Sequence, residues 1–205
     1  MIKKILWILI IISSFLGCLI KFGIFEGDLR LYQFLYFTTL SNIIVILYYV
    51  GAFKYEFIMK NSFFRGVMSI SIFVTFLIYN FFLKGSGFGT SVVFSLQWLG
   101  STLLHYVTPF LVAVDFVLFS RNINFKLSDP IKWLSFPALY FVFIVFIAKI
   151  GNFFPNQSTP YPYYFIDVVS LGWSNVFRNI VFVAILFACV GYVIYIVNYI
   201  LRNKI

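Results

Sequence analysis

The chain has 205 residues, of which 62% are hydrophobic, 23% are aromatic and only 10% are charged. Soluble domains contain about 45–50% apolar and about 25% charged residues, so this composition excludes a soluble enzyme, a disordered chain and a disulfide scaffold. The net charge of +9 comes from basic residues spread singly between apolar runs, which indicates membrane topology rather than a nucleic-acid partner. With a single histidine and two cysteines, both inside apolar runs, no metal site, disulfide or cofactor is expected. The sequence predicts an all-α, polytopic membrane protein.

Six apolar segments are each long enough to cross a bilayer as a helix, which requires about 20 residues. Their apolar residues are consecutive instead of alternating with polar ones, so a transmembrane β-barrel is excluded. The first segment continues to Ile24, which favours a membrane span over a cleaved signal peptide. We predict one bundle of six transmembrane helices in a single domain, 1–205, with spans at 4–24, 31–53, 63–83, 92–119, 131–150 and 173–200.

The connections between these segments predict the orientation of the chain. Both termini and the second and fourth loops are more basic than the first and third loops, when Lys21 is counted with the first loop and Arg65 with the second. Under the positive-inside rule, this places both termini in the cytoplasm. The third loop, 84–90, is predicted to be a glycine-rich turn on the outside. The fifth connection is predicted to form an extracellular flap, 151–172, because its prolines and clustered tyrosines suit the membrane interface.

Polar side chains inside the spans are the candidate functional groups, because lipid-packed helices keep them only for packing or function. Thr38 lies roughly 10 Å along the second span and His105 roughly 20 Å along the fourth, at about 1.5 Å per residue. Both spans enter from outside, so we expect these side chains to face one cavity in the outer half of the membrane, with Phe, Leu and Ile in its other walls. The open alternative is a polar seam in which Thr38, Ser41 and Asn42 only pack helices.

Charged residues near the ends of the spans have structural interpretations. Asp115, on the fourth span, is expected either to pair with Arg121 or Lys126 or to have a functional role. Asp167 and Arg178 lie on either side of the start of the sixth span. For these two residues we expect a structural ion pair.

Three motifs resemble the androgen-induced family of intramembrane threonine hydrolases, and in particular its bacterial six-helix relatives. The first is Tyr-Phe-Thr-Thr-Leu-Ser-Asn at 36–42. The second is Leu-His-Tyr-Val-Thr-Pro at 104–109, followed by Asp115, and the third is Tyr-Pro-Tyr-Tyr-Phe-Ile-Asp at 161–167. Together the motifs cover most of the chain, from about residue 31 to 175, in the order and spacing of the family.

The resemblance implies a hydrolase of fatty acid esters of hydroxy fatty acids in a bacterial cytoplasmic membrane. It implies Thr38 as the nucleophile and His105 as its base, with membrane lipids and an acyl-chain substrate as partners. Two departures from the family pattern bear on these roles. Thr39 adjoins Thr38, so a shift of one residue would move the nucleophile, and the spacing from His105 to Pro109 is one residue shorter than in animal members.

The chemistry of a threonine–histidine pair is consistent with ester hydrolysis. A hydroxyl attacks an ester when a neighbouring base takes its proton. Because a helix interior offers few free N–H groups, we expect side chains to bind the oxyanion. The candidates for this role and for substrate binding are Thr39, Asn42, Asn80 and Tyr106. No carboxylate is predicted to orient His105, although a catalytic triad includes such a group.

A non-catalytic protein is the second hypothesis. It would be a transporter, or a lipid-binding or assembly subunit, in which the polar seam only packs helices. Transport favours internal repeats and helices broken at the midplane, and the sequence predicts no repeat. The hydrolase is therefore the favoured function, on the strength of the resemblance.

Overall fold

Six helices dominate the computed structural model, which describes residues 1–83, 95–155 and 157–203. The structure is 82% helical and has no strand within these ranges, which confirms the all-α class. The predicted third loop, 84–90, and the first residues of the fourth span, 92–94, lie outside the described residues. Each of the six helices is long and apolar enough to cross a membrane. They are α1 (Ile2–Lys21), α2 (Phe37–Lys54), α3 (Ser62–Phe81), α4 (Leu96–Phe119), α5 (Asp129–Ile150) and α6 (Val168–Asn203).

The second helix begins six residues later than predicted, because the chain breaks before it. Leu31–Leu35 forms a separate 3₁₀ helix, and Tyr36 is extended, with φ −84° and ψ 132°. Tertiary contacts hold this break: the Leu35 carbonyl accepts a hydrogen bond from the Tyr140 hydroxyl at 2.9 Å, and the Tyr36 ring packs against Phe154. The predicted depth of Thr38 along a continuous span is therefore wrong. Thr38 is the second residue of α2.

Side-chain contacts show that α1 and α4 run antiparallel and that α4 and α6 end at the same end of the bundle. Along α1 and α4, Trp7 hydrogen-bonds Asp115 and Lys21 hydrogen-bonds Ser101 at the opposite ends of the two helices. Lys3 lies over the ring of Phe119 at the end of α4. At the end of α6, Arg202 hydrogen-bonds Asn124 and Asn198 donates to the Ser120 carbonyl. Both ends of the described chain therefore lie at the same end of the bundle.

The segment between α5 and α6 folds back onto the other end of the bundle. Phe154, Tyr161, Tyr163 and Ile166 are buried there. The ring of Tyr163 packs edge-on against Tyr36, with centroids 5.8 Å apart. The segment therefore covers the start of α2, where Thr38 lies.

Asp167 caps α6 and does not pair with Arg178. Its Oδ1 accepts hydrogen bonds from the N–H groups of Val169 and Ser170, and its Oδ2 accepts from the Ser170 hydroxyl at 2.6 Å. Free N–H groups at a helix start favour a carboxylate at this position. The expected Asp167–Arg178 ion pair is absent from the described residues.

A buried ionic cluster joins four helices near the end that carries the chain termini. Arg65 on α3 pairs with Asp115 on α4 at 2.6 Å, and both side chains are at most 3% exposed. Asp115 also accepts hydrogen bonds from Trp7 Nε1 at 2.8 Å and from the Tyr49 hydroxyl at 2.7 Å. Three donors therefore share the two carboxylate oxygens of Asp115 and compensate its negative charge inside an apolar bundle.

This cluster corrects two expectations from the sequence. Asp115 was expected to pair with Arg121 or Lys126, but both of those side chains are exposed and lie beyond the end of α4. Arg65 was counted as a loop charge, but it belongs to α3 and is buried. Arg65 faces α4 directly and is therefore the partner that can be desolvated together with Asp115.

Candidate functional site

Thr38, Thr39 and His105 line one cavity of about 100 Å³ near the covered end of the bundle. Its other lining residues are mostly of polar types, and Leu104 is the one aliphatic residue among the described residues that line it. The expected walls of Phe, Leu and Ile are therefore wrong for this cavity. The remaining lining residues are Lys21, Gln33, Tyr36, Tyr79, Ser101 and Tyr163.

A second, larger cavity has mostly apolar walls. It measures about 420 Å³, within the range of about 300–1,000 Å³ that ligand pockets occupy. It lies among α2, α3, α5, α6 and the segment that covers α2, and its lining is mostly aromatic and aliphatic, with Phe37, Ile78, Leu134, Phe141, Val183 and Phe187 among its walls. Thr38 and Tyr163 line both cavities, whereas Thr39 and His105 line only the polar one. Thr38 is therefore at the boundary between an apolar chamber and a polar one.

The position of Thr38 in the first turn of α2 brings backbone donors to the site. The first hydrogen bond of the helix runs from the Leu40 N–H to the Tyr36 carbonyl, so the N–H groups of Phe37, Thr38 and Thr39 precede the helical ladder. Tyr36, at the N-cap, makes no side-chain capping bond. Such a helix start attracts negative charge. The expectation that a helix offers few free backbone N–H groups here assumed a helix that began at residue 31, whereas the helix begins at Phe37.

The hydroxyl of Tyr163 lies against this turn. It interacts with the backbone N–H groups of Phe37 and Thr38 and with the Thr38 hydroxyl. Burial raises the pKa of Tyr163 above its ordinary value, so its hydroxyl stays protonated at neutral pH. Tyr163 is a polar contact of Thr38 that the motif at 161–167 contained but that sequence reasoning did not assign.

His105 lies within a π-helical segment of α4, Leu103–Val107. In the π-helical hydrogen-bonding pattern, the Thr108 N–H donates to the Leu103 carbonyl. Pro109 has no N–H that could donate to the Leu104 carbonyl in the same way. The Leu104 carbonyl instead accepts a bond from Asn42 Nδ2 at 3.4 Å. Such π segments within α-helices occur frequently at functional sites.

Two neighbours fix the orientation of the imidazole. The ring of Tyr79 stacks on it, and the backbone carbonyl of Thr75 interacts with a ring N–H. His105 is 7% exposed, and its Nδ1 has no hydrogen-bond partner among the described residues. Because one nitrogen of a neutral imidazole donates and the other accepts, Nδ1 is the nitrogen available to take a proton.

Lys21 brings a cation to the same cavity, although the sequence analysis assigned it to a loop. It is the last residue of α1, and its Nζ donates to Ser101 Oγ at 2.6 Å and lies 3.4 Å from the Gln97 carbonyl oxygen. No carboxylate in the described part of the chain lies within ion-pairing distance of it. Nearby Glu26 pairs with Arg30 instead. A lysine directly after a long apolar run is the signal that could have identified this residue.

The other predicted site residues, Asn42, Asn80 and Tyr106, are not among the described residues that line the polar cavity. Asn42 donates to the Thr38 carbonyl at 2.9 Å and accepts a bond from the Ser14 hydroxyl at 2.8 Å, so its amide joins α1 to α2. Asn80 accepts a bond from the Tyr106 hydroxyl at 2.8 Å. These contacts favour packing roles for all three side chains.

Comparison with protein families, curated proteins and solved structures finds no match to this chain.

Proposed function

We propose that this chain is an intramembrane hydrolase of lipid esters, of the fatty acid ester of hydroxy fatty acid type, related to the androgen-induced threonine hydrolases. Thr38 is the nucleophile and His105 is the general base. One observation carries the proposal: Thr38 lies at the boundary between an apolar cavity of about 420 Å³ and the polar cavity that contains His105. An ester whose acyl chain fills the apolar cavity has its carbonyl at Thr38.

The reaction proceeds by two acyl transfers. Thr38 Oγ attacks the ester carbonyl while His105 Nδ1 takes the hydroxyl proton, and the tetrahedral intermediate collapses to an acyl-threonine. His105 gives the proton to the departing alkoxide, which leaves as an alcohol. Water then attacks the acyl-threonine, His105 takes its proton, and that proton returns to Thr38 Oγ as the fatty acid leaves. The polar cavity offers polar partners and room for such a water.

The first turn of α2 stabilises the oxyanion in this mechanism. Its N–H groups precede the helical ladder, and the hydroxyl of Tyr163, a side-chain donor, interacts with this turn. Donors held in place before the reaction stabilise developing charge most effectively in a site that excludes water. These groups replace the side-chain amides of Asn42 and Asn80, which are engaged in hydrogen bonds to other helices or to neighbouring side chains.

The proposal includes a six-span topology in a cell membrane, that of a bacterium, with both termini in the cytoplasm. Six apolar helices and the proximity of the chain ends support it. The test is labelling with an impermeant maleimide in a variant that lacks Cys18 and Cys189. Ser158→Cys is expected to react in intact cells, and Asn122→Cys only after lysis. The reverse pattern contradicts the orientation.

The experiment that tests the chemistry is active-site labelling. Purified protein is treated with a fluorophosphonate probe, and the modified residue is located by mass spectrometry. We expect the adduct on Thr38 and no adduct in Thr38→Ala. His105→Ala is expected to slow labelling by about 10²–10⁴-fold, the usual contribution of a general base.

Thr39→Ala is the matched control, because the two threonines are neighbours in the same turn. It is expected to label like the wild type. Loss of labelling in Thr39→Ala alone would move the nucleophile by one residue, and equal labelling of all three variants would contradict the hydrolase.

A lipid-binding protein without catalysis is the second candidate. The seam formed by Ser14, Asn42 and the Leu104 carbonyl favours it, since these contacts pack three helices and need no reaction. Such a protein would still hold an acyl chain in the apolar cavity. It would show binding of lipid without any covalent adduct on Thr38.

A further inference from the structure

We propose that the polar cavity is a subsite for an anionic head group of a single-chain lipid, bound by Lys21, the first turn of α2 and His105. The ligand chemistry is a carboxylate or a phosphate monoester whose alkyl chain extends into the apolar cavity. This inference rests on the proposed function for the position of the reacting carbonyl, and it adds the charge of the ligand and the residue that recognises it.

Lys21 is the first component of the subsite. Lys21 lines the cavity, and its ammonium group hydrogen-bonds the Ser101 hydroxyl at 2.6 Å and has no carboxylate partner within the described residues. A partly buried cation without a counter-ion is costly, and an anionic ligand in the cavity removes that cost. Arg65, by contrast, is a fully buried cation that pairs with the carboxylate of Asp115.

The start of α2 is the second component. Thr38 and Thr39 both line the cavity and both carry N–H groups that precede the helical ladder of an 18-residue helix. Backbone N–H groups and the helix dipole at such a position favour an anion. The Tyr163 hydroxyl now occupies part of this position.

His105 is the third component, and it points to a ligand independently of the helix. It is 93% buried, since 7% of its surface is exposed, and its Nδ1 has no partner among the described groups. A buried nitrogen without a partner costs free energy that a bound polar ligand recovers. A ligand that enters as its neutral acid gives its proton to Nδ1, and Nδ1–H then donates a hydrogen bond to the resulting anion.

The two cavities differ in their lining residues, so each suits a different part of the ligand: the charged head group or the alkyl chain. Of the residues that the structure describes, Leu104 is the one aliphatic residue that lines the polar cavity, and no charged residue lines the apolar cavity. Thr38 and Tyr163 lie where the two cavities meet. A lipid with one chain and one charged head therefore fits, and the head lies beside the nucleophile.

Competition binding tests the subsite without requiring turnover. The full-length protein in lipid nanodiscs is loaded with tritiated palmitate, which is displaced by palmitate, hexadecyl phosphate, hexadecanol or hexadecyl methyl ether, a neutral lipid without an ester bond. We expect at least one anion to displace the label about tenfold better than both neutral lipids, because hydrogen bonds to charged groups are the stronger ones. The preferred anion distinguishes a carboxylate from a phosphate.

Lys21→Met is expected to remove this preference, and Lys21→Arg to keep it. Lys149→Met is the matched control, because Lys149 is exposed near the end of α5. Equal displacement by palmitate, hexadecyl phosphate and hexadecanol in the wild type would overturn the subsite, as would an unchanged preference in Lys21→Met. If Lys21→Met does not fold, the wild-type ligand series decides alone.

The same measurement separates this inference from the proposed hydrolysis. Thr38→Ala is expected to bind palmitate while it loses the covalent adduct. Anion preference without an adduct on Thr38 in the wild type would leave the subsite standing and refute the hydrolase.

Discussion

Tyr79 stacks face to face on His105, with the ring centroids 3.8 Å apart and the planes inclined by 16°. Tyr79 begins a π-helical segment at the end of α3, and His105 lies in the π-helical segment of α4. Each segment departs from regular α-helix where the two rings meet. The stack fixes the orientation of the imidazole ring. In the proposed mechanism it takes the place of the carboxylate that orients the histidine of a catalytic triad.

Removing the stacked ring should impair the reaction without unfolding the protein. Tyr79→Leu is expected to lower the rate of fluorophosphonate labelling by about 10- to 100-fold, because a small displacement of a catalytic group is enough for such a loss. Tyr79→Phe keeps the ring and should label like the wild type. The labelling rate and the melting temperature are measured together.

Tyr199→Leu is the control for this substitution, since Tyr199 is exposed on α6. An unchanged rate in Tyr79→Leu would show that the backbone alone orients His105. A rate that falls equally in Tyr199→Leu would assign the effect to general instability.

The six helices could be predicted from the sequence because long apolar runs have few alternatives in a membrane. The start of α2 could not be predicted. No proline or glycine marks the break at Tyr36, which is held by contacts with residues more than 100 positions away, such as the Tyr140 hydroxyl on the Leu35 carbonyl. Local sequence carries no signal for contacts of this kind.

Only part of the candidate site could be predicted from the sequence, because the remainder depends on contacts between helices. Thr38 and His105 were singled out through the resemblance, and they line one cavity. Lys21 and Arg65 were assigned to loops, because a charge at the end of an apolar run suggests a boundary. Their burial depends on polar partners on α4, namely Ser101 and Asp115, and a single sequence does not pair helices.

The hydroxyl of Tyr163 should contribute to oxyanion stabilisation. Tyr163→Phe is expected to slow labelling by about 10²–10³-fold, the usual effect of losing one oxyanion donor. Tyr161→Phe, in the same segment, is the matched control and should label normally. An unchanged rate in Tyr163→Phe would assign the oxyanion to the backbone N–H groups alone.

The pH dependence of Tyr163 has a definite sign. Burial raises its pKa above the ordinary value of 10.0, so the protonated donor persists through that pH and is lost only above it. The contribution of the neutral Tyr163 side chain to the free energy of unfolding is therefore fully present below pH 10. It falls as the pH rises towards the pKa that Tyr163 has in the folded state. The rate of fluorophosphonate labelling is measured from pH 8 to 10 in the wild type and in Tyr163→Phe. The ratio of the two rates should stay constant, because Tyr163 keeps its proton over this range.

The Arg65–Asp115 pair should be required for stability. Asp115→Ala leaves the buried guanidinium of Arg65 without its carboxylate, and removal of one partner of such a pair costs about 3–5 kcal/mol. A lowered melting temperature in detergent is the readout. The double variant Arg65→Met, Asp115→Leu should recover most of the loss, because it leaves no buried charge. Failure of the double variant to recover would show that Trp7 and Tyr49 also need the carboxylate.

An exposed ion pair provides the contrast. Glu56 and Lys60 lie 2.8 Å apart in the short helix Glu56–Lys60, with side chains 72% and 63% exposed. Lys60 lowers the pKa of Glu56, but solvent screens the pair. Glu56→Ala should therefore leave the melting temperature unchanged, which would assign the effect of Asp115→Ala to burial.

Gly66 should be irreplaceable because it allows α3 and α5 to approach each other. A Cβ at this position would lie 1.8 Å from Trp133 Cε2, and Trp133 is fully buried. Gly66→Ala is expected to destabilise the bundle by about 1–3 kcal/mol, the usual cost of overpacking a core. Gly151→Ala is the control, because no atom of the described residues lies within 4 Å of a Cβ added there and its φ of 164° is extended backbone. Trp133→Phe in the Gly66→Ala background should restore part of the melting temperature, since a smaller ring vacates the space. If Gly66→Ala melts like the wild type, the indole can shift, and the contact does not determine the spacing of the two helices.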